Sequence, residues 1–161
     1  GLGTNSPDSK LEVDGRVAPA TDGTRNLGYS SRRWNAVYSE NGVITTSDLF
    51  FKKNVKESSY GLNTIMKLEA VTFFWKDPNE TKQKIGFIAQ DMNKIFPIAV
   101  YQDDESDFLG VNYSDLIPVL TKAIQEQQIE IEKEKAKNKL QQQEINELRR
   151  EINELKDLIN K

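Results

Sequence analysis

The sequence predicts an α+β chain in three parts: an N-terminal segment of short β-strands, a small mixed domain, and a long C-terminal helix of coiled-coil type. Three observations carry this prediction. Turn dipeptides punctuate the first third. Helical and alternating apolar patterns interleave through the middle. A heptad series dominated by isoleucine runs through the remainder.

Residues 1–46 are rich in Gly, Ser, Thr, Asn and Asp. Pro7-Asp8, Asp14-Gly15, Asp22-Gly23 and Asn41-Gly42 supply turn chemistry between apolar clusters at Leu11 and Val13, at Trp34, Ala36 and Tyr38, and at Val43 and Ile44. Short strands are expected there. So few apolar side chains do not fill a core within one chain, and the strands are expected to pack against copies of themselves.

Residues 47–113 read as a small α+β domain. Ser58 or Ser59 is expected to cap a short helix with Leu62, Ile65 and Met66 on one face, followed by a strand in which Val71, Phe73 and Trp75 alternate with Thr72 and Phe74. Ile85–Ile88 is then expected as a buried strand, Ala89–Phe96 as a helix stopped by Pro97, and Ile98–Tyr101 as a further strand. The acidic stretch Asp103, Asp104, Glu105 and Asp107 lacks the ligand spacing and central glycine of a calcium loop, so it reads as a solvated turn.

Residues 114–161 are expected to be helical, with Ser114 as N-cap and Pro118 in the first turn, where a missing backbone N–H loses no intrahelical bond. Counting in sevens gives an unbroken a series, Ile117, Ile124, Ile131, Asn138, Ile145, Ile152 and Ile159, with Leu120, Gln127, Glu134, Gln141, Leu148 and Leu155 at d. The seam is apolar at both ends and polar in the middle. Glu130 with Lys135, Glu144 with Arg149, and Glu151 with Lys156 would be attractive g-to-e pairs across a parallel, in-register interface. A parallel homo-oligomer follows. Its number does not, because Ile at a with Leu at d favours dimers while the polar layers fix register without deciding between two strands and three.

Composition removes several function classes. The 22 basic residues against 25 acidic ones give a net charge of −3, without the clustered positive charge that phosphate or anionic membrane binding needs; neither nucleic acid nor membrane is an expected partner. No cysteine and no histidine occur. Disulfides, thiol nucleophiles, Cys/His zinc sites and imidazole-based triads are therefore out, and no cofactor is implied. No apolar run approaches the roughly 20 residues that span a bilayer. The opening on Gly1 in mid-pattern suggests a piece of something longer.

Several fragments together resemble a known family. They are Thr46-Ser47-Asp48 with Lys52-Lys53-Asn54-Val55, Tyr60-Gly61-Leu62-Asn63, Val71-Thr72-Phe73, Ile85-Gly86-Phe87-Ile88-Ala89-Gln90-Asp91, and Val111-Asn112-Tyr113 leading into the helix. In order and spacing they are similar to the intramolecular chaperone, auto-processing domains at the C-termini of phage tailspikes, endosialidases and tail fibres, also found in myelin regulatory factor. Leu27-Gly28, Arg33-Trp34, Val37-Tyr38 and Asn41-Gly42 look like the strand segment that precedes such domains in fibres.

The resemblance implies a parallel homotrimer that brings the N-terminal fibre or spike region of the same protein into register and assists its folding. It also implies release by self-cleavage at Ser47-Asp48, with residues 1–46 as the end of the fibre shaft. Folding in a host cytoplasm and residence in a virion tail fibre or phage-like particle would follow.

The resemblance makes Ser47 the nucleophile and Lys52 its base. A serine hydroxyl needs a neighbour to take its proton, and a lysine does so only when neutral, a form that burial favours. Leu49, Phe50 and Phe51 are the apolar neighbours expected to surround Lys52. Five residues of separation put Ser47 and Lys52 on different faces of a helix or a strand, so a turn between them, or a geometry imposed by assembly, is required. The family motif reads Ser-Asp-x-Arg-x-Lys, and here Phe50 stands at the arginine position. Phenylalanine neither stabilises an oxyanion nor organises a loop through a guanidinium. Two expectations follow: an active self-processing chaperone, or a trimeric tip that stays attached, with Ser47 and Lys52 as relics. A receptor-binding tip using Tyr29, Trp34 or Tyr101 is a further alternative without a motif behind it, and Lys53 and Lys56 read as solvated charges.

Overall fold

Local signals in the middle of the sequence settle most of its elements, and long-range contacts settle how they begin and end. The structure is a computed structural model that describes all residues except 1, 4, 7, 103–105 and 161. Pro7 and most of the acidic stretch at 103–107 thus lie outside the described residues. The chain divides into two compact units, Gly1–Ile44 and Thr45–Lys161.

In the first unit the expected strands at Leu11–Val13, Trp34–Tyr38 and Val43–Ile44 do not form; the described residues hold only isolated bridges, Leu2 with Val13 and Tyr29 with Arg32. The physical reason is the shortage of apolar partners. Val17, Leu27, Trp34, Tyr38, Val43 and Ile44 are all exposed, so no apolar face stabilises a sheet. The Tyr29–Arg32 turn needs Gly28, whose φ of 81° is left-handed and whose missing Cβ leaves room for the Arg32 carbonyl and the Trp34 ring.

The second unit is α+β. Helix α1 (Leu62–Ile65) leads to an antiparallel pair, β1 (Val71–Phe73) and β2 (Lys84–Gly86), in the register Val71 opposite Gly86 and Phe73 opposite Lys84. Trp75 lies beyond the strand. Helix α2 (Ala89–Ile95) ends before Pro97, and a 3-10 turn (Pro97–Ala99) takes the first half of the expected third strand. A second antiparallel pair, β3 (Val100–Gln102) and β4 (Leu109–Val111), follows, with Val100 opposite Val111. Helix α3 (Leu116–Ile159) then runs for 44 residues, about 66 Å at 1.5 Å per residue. Its approach differs from the expected Ser114 cap: the Asn112 side chain accepts from Ser114 N–H at 3.2 Å and starts a 3-10 turn (Tyr113–Asp115) that feeds the helix.

The core collects Met92 and Phe96 from α2, Ala99, and Leu116 and Val119 from α3, with Tyr60, Ile65, Leu68, Phe87, Val100 and Val111 packed around them. Tyr60 meets Phe96 edge to face at 4.8 Å between centroids, a geometry that aromatic quadrupoles favour. α3 therefore docks through Leu116, Val119 and Ala123, which are buried. Ile117, Leu120 and Ile124 in the same turns stay exposed, at 64, 44 and 65%. From Gln127 to Asn160 every residue is exposed.

Candidate functional site

The Ser47 motif is short enough for its geometry to be set locally. The Asp48 carboxylate accepts from Phe50 N–H at 2.7 Å, and backbone bonds from Phe51 N–H to Asp48 O and from Lys52 N–H to Leu49 O close a 3-10 turn over Leu49–Phe51. A capped turn of this kind reverses the chain within one residue triplet. It brings the ends of the motif together: Lys52 Nζ donates to Ser47 Oγ at 2.6 Å. The turn that five residues of separation demanded is present in a single chain. Residues 47–101 match the chaperone-of-endosialidase family model.

The Ser47–Lys52 pair thus opens the segment that matches this family model. Two curated relatives agree with that match. The chain is 38% identical over 98 residues to long tail fiber protein Gp37 of Enterobacteria phage M1 and 38% identical over 96 residues to its counterpart in Enterobacteria phage Ox2. The matches cover 56 and 55% of this chain and 39 and 38% of those proteins, so the chain spans about two fifths of the relatives' length.

The surroundings of the pair differ from expectation. Leu49, Phe50 and Phe51 are 70, 86 and 71% exposed, and the Phe50 and Phe51 rings contact each other edge to face at 5.2 Å. The apolar cover foreseen for Lys52 is not supplied within one chain, because the turn projects all three side chains outward. Phe50 offers no donor to a carbonyl on either side of Ser47. Lys53 and Lys56 are exposed.

Downstream, the fragments that carry the family resemblance acquire physical reasons. Asn54, at φ 54°, bends the chain after the pair, a conformation asparagine tolerates better than most residues. Ser58 does not cap α1; its hydroxyl accepts from Tyr60 N–H at 3.0 Å and forms a turn. The cap comes from α3, 64 residues away, where Glu126 Oε2 accepts from Leu62 N–H at 2.7 Å. Gly61 makes room for this carboxylate, since a Cβ there would fall 2.7 Å from Glu126 Oε1 and 2.8 Å from its Cδ. Gly86 does the same for Tyr113, whose hydroxyl accepts from Phe87 N–H at 3.1 Å.

Beside Glu126, Lys122 Nζ donates to Glu57 Oε1 at 2.7 Å and to the Ser58 carbonyl, and lies 3.8 Å from Glu126 Oε1. The hydrogen bond from Lys122 holds the Glu57 carboxyl below its ordinary value, and the same bond holds the Lys122 ammonium above its own. Glu57, Lys122 and Glu126 escaped the sequence reading because a lysine and a glutamate on a helix surface look solvated. The usable signal was Gly61, a helix start with no side-chain cap of its own.

Among the described residues no group of three or more Asp, Glu, His or Cys side chains is arranged to hold a metal ion. No helix among them is long and apolar enough to cross a membrane.

Proposed function

We propose that this chain is an assembly chaperone of a phage tail fibre, which joins copies of itself through a parallel trimeric coiled coil of α3 and carries a Ser47–Lys52 self-cleavage centre. One observation carries the assembly half. Where α3 packs on its own domain it uses Leu116, Val119 and Ala123, leaving the a and d residues Ile117, Leu120 and Ile124 in the same turns uncovered. A helix serving only its own domain would turn its heptad stripe inward. From Gln127 to Asn160 every residue of the helix is exposed, and exposed i,i+4 pairs such as Arg150 with Glu154 add little to a helix that is marginal in water when isolated. Association along Ile131, Ile145, Leu148, Ile152 and Leu155 supplies the missing burial, and the attractive g-to-e pairs favour the parallel arrangement.

The exposed clusters of residues 1–44 fit the same role, because strands that lack an internal core gain one when several chains wind together. Holding the chains in register at α3 removes much of the search for such non-local pairing. The virion tail fibre is the corresponding location.

In the cleavage half, Lys52 takes the Ser47 hydroxyl proton, Ser47 Oγ attacks the scissile carbonyl to form an ester as the C–N bond breaks, and the proton passes to the leaving amine, after which water cleaves the ester. One water molecule is consumed in the hydrolysis. The 2.6 Å contact is within the reach such a transfer requires. Phe50 in place of arginine supports a slow or arrested reaction in this molecule.

The test is sedimentation of the full chain together with intact mass of a precursor extended at its N-terminus, for the parent, Ser47→Ala and Phe50→Arg. The expected results are three-chain particles throughout, a whole or slowly cut parent, a faster cut in Phe50→Arg, and none in Ser47→Ala. A monomer at micromolar concentration removes the assembly reading. A Phe50→Arg precursor that stays whole removes the account of position 50.

A further inference from the structure

The stretch that carries Ser47 and Lys52 is tied to helix α3 through residues 57–62. After the capped turn at 48–52 comes the left-handed bend at Asn54, and residues 53–59 are all exposed. The next attachment is Lys122. Its side chain is 22% exposed and grips both the Glu57 carboxylate, at 2.7 Å, and the Ser58 carbonyl. One turn further along α3, Glu126 caps Leu62 N–H at 2.7 Å and faces Lys122 at 3.8 Å. Two successive turns of one helix thus clamp residues 57–62, with four residues between Lys52 and the first clamped side chain.

Those turns of α3 are also the ones that begin the seam. Lys122 lies between Leu120 and Ile124, and Glu126 lies between Ile124 and Gln127. The clamp therefore closes only when this part of α3 is helical. The same condition brings the a and d residues into line.

We infer that Lys122, through Glu57 and the Ser58 carbonyl and with Glu126 as its partner, is a positioning residue that fixes the Ser47–Lys52 turn relative to helix α3. This rests on the self-cleavage reading for its consequence and on the clamp geometry for its existence. A dyad on an unanchored stretch samples many placements against the bond it must cut, and a displacement of about 1 Å costs up to about a hundredfold in rate. Arginine at position 122 keeps the charge and the donors; methionine keeps the apolar stem and loses both.

The experiment uses the full chain, N-terminally extended, in the Phe50→Arg background, with Lys122→Met and Lys122→Arg added. Three quantities are read: the rate of cutting at 47–48 by intact mass, the particle mass by sedimentation, and amide exchange of peptides covering 47–58. Lys122→Met is expected to slow cutting by about tenfold or more, to raise exchange in 47–58 while leaving 84–102 unchanged, and to keep the particle mass. Lys122→Arg is expected to restore both rate and protection. Cutting in Lys122→Met as fast as in Phe50→Arg alone overturns the inference, as does slowing that arginine does not rescue. If no variant cuts, the cleavage reading fails by itself, and exchange decides the clamp: unchanged protection of 47–58 in Lys122→Met overturns it.

Discussion

Gly61→Ala places one methyl group against the carboxylate that starts helix α1. The added Cβ would lie 2.7 Å from Glu126 Oε1 and 2.8 Å from Cδ, distances no packed methyl group adopts, so the glutamate must swing away. Leu62 N–H then loses its 2.7 Å acceptor, and Lys122 loses the oxygen at 3.8 Å. Leaving a partly buried donor without a partner costs about 1–3 kcal/mol. At about 4 °C per kcal/mol for a domain of this size, the melting temperature should fall by about 4–12 °C.

The assay is thermal unfolding at one fixed chain concentration for Gly61→Ala, Glu126→Ala and the double variant. Once Glu126 is shortened the methyl group has space, so the double variant should be no less stable than Glu126→Ala alone. Such a cycle isolates the coupling between the two positions. Full additivity, or a Gly61→Ala variant as stable as the parent, would refute the assignment of Glu126 as the cap.

Three further outcomes are expected. The pairing of Glu57 with Lys122 should stabilise the fold between two limits: the Glu57 contribution is present above 4.5 and fades as pH falls through its lowered value, and the Lys122 contribution is present below 10.5 and fades as pH rises through its raised value. Melting temperature against pH for the parent minus Glu57→Gln should show both limbs. Gly86→Ala should push the Tyr113 hydroxyl off Phe87 N–H and cost about 1–2 kcal/mol in urea unfolding, with a smaller effect in a Tyr113→Phe background. Asp48→Ala should raise amide exchange at Phe50 by about tenfold, the value of one helix-type cap, while Asp48→Asn keeps an acceptor and most of the protection.

The parts of this fold legible in the sequence are those set by short-range rules. Helix α2 stops before Pro97 because a proline admits no continuation, and α3 holds its heptads because periodicity needs no knowledge of partners. The closure of Ser47 on Lys52 was legible as a requirement for a turn, although Asp48 as its cap was not foreseen. The strands expected in residues 1–46 are absent from the single chain because β-structure depends on a neighbour, and the apolar clusters there find none within their own unit.

Less legible was the second stripe of α3. Leu116, Val119 and Ala123 recur at helical spacing, yet the stronger isoleucine series hid them. The Lys122 and Glu126 clamp joins positions 64 and 65 residues apart, and nothing in the composition of either end announces the other.

The double use of α3 gives the helix a fixed phase. Its first turns are keyed to the domain by Leu116, Val119 and Ala123, so the direction in which Ile145 and Ile152 point far along the rod is already determined. Deleting a single residue between Gln127 and Ile131 would rotate everything beyond it by about 100° while leaving composition almost unchanged. In the proposed coiled coil the far half would then join its copies only by twisting their domains out of mutual alignment. Removing seven residues would restore the phase. The rod is thus an indexed shaft, more tolerant of a change in length by whole heptads than of one missing residue.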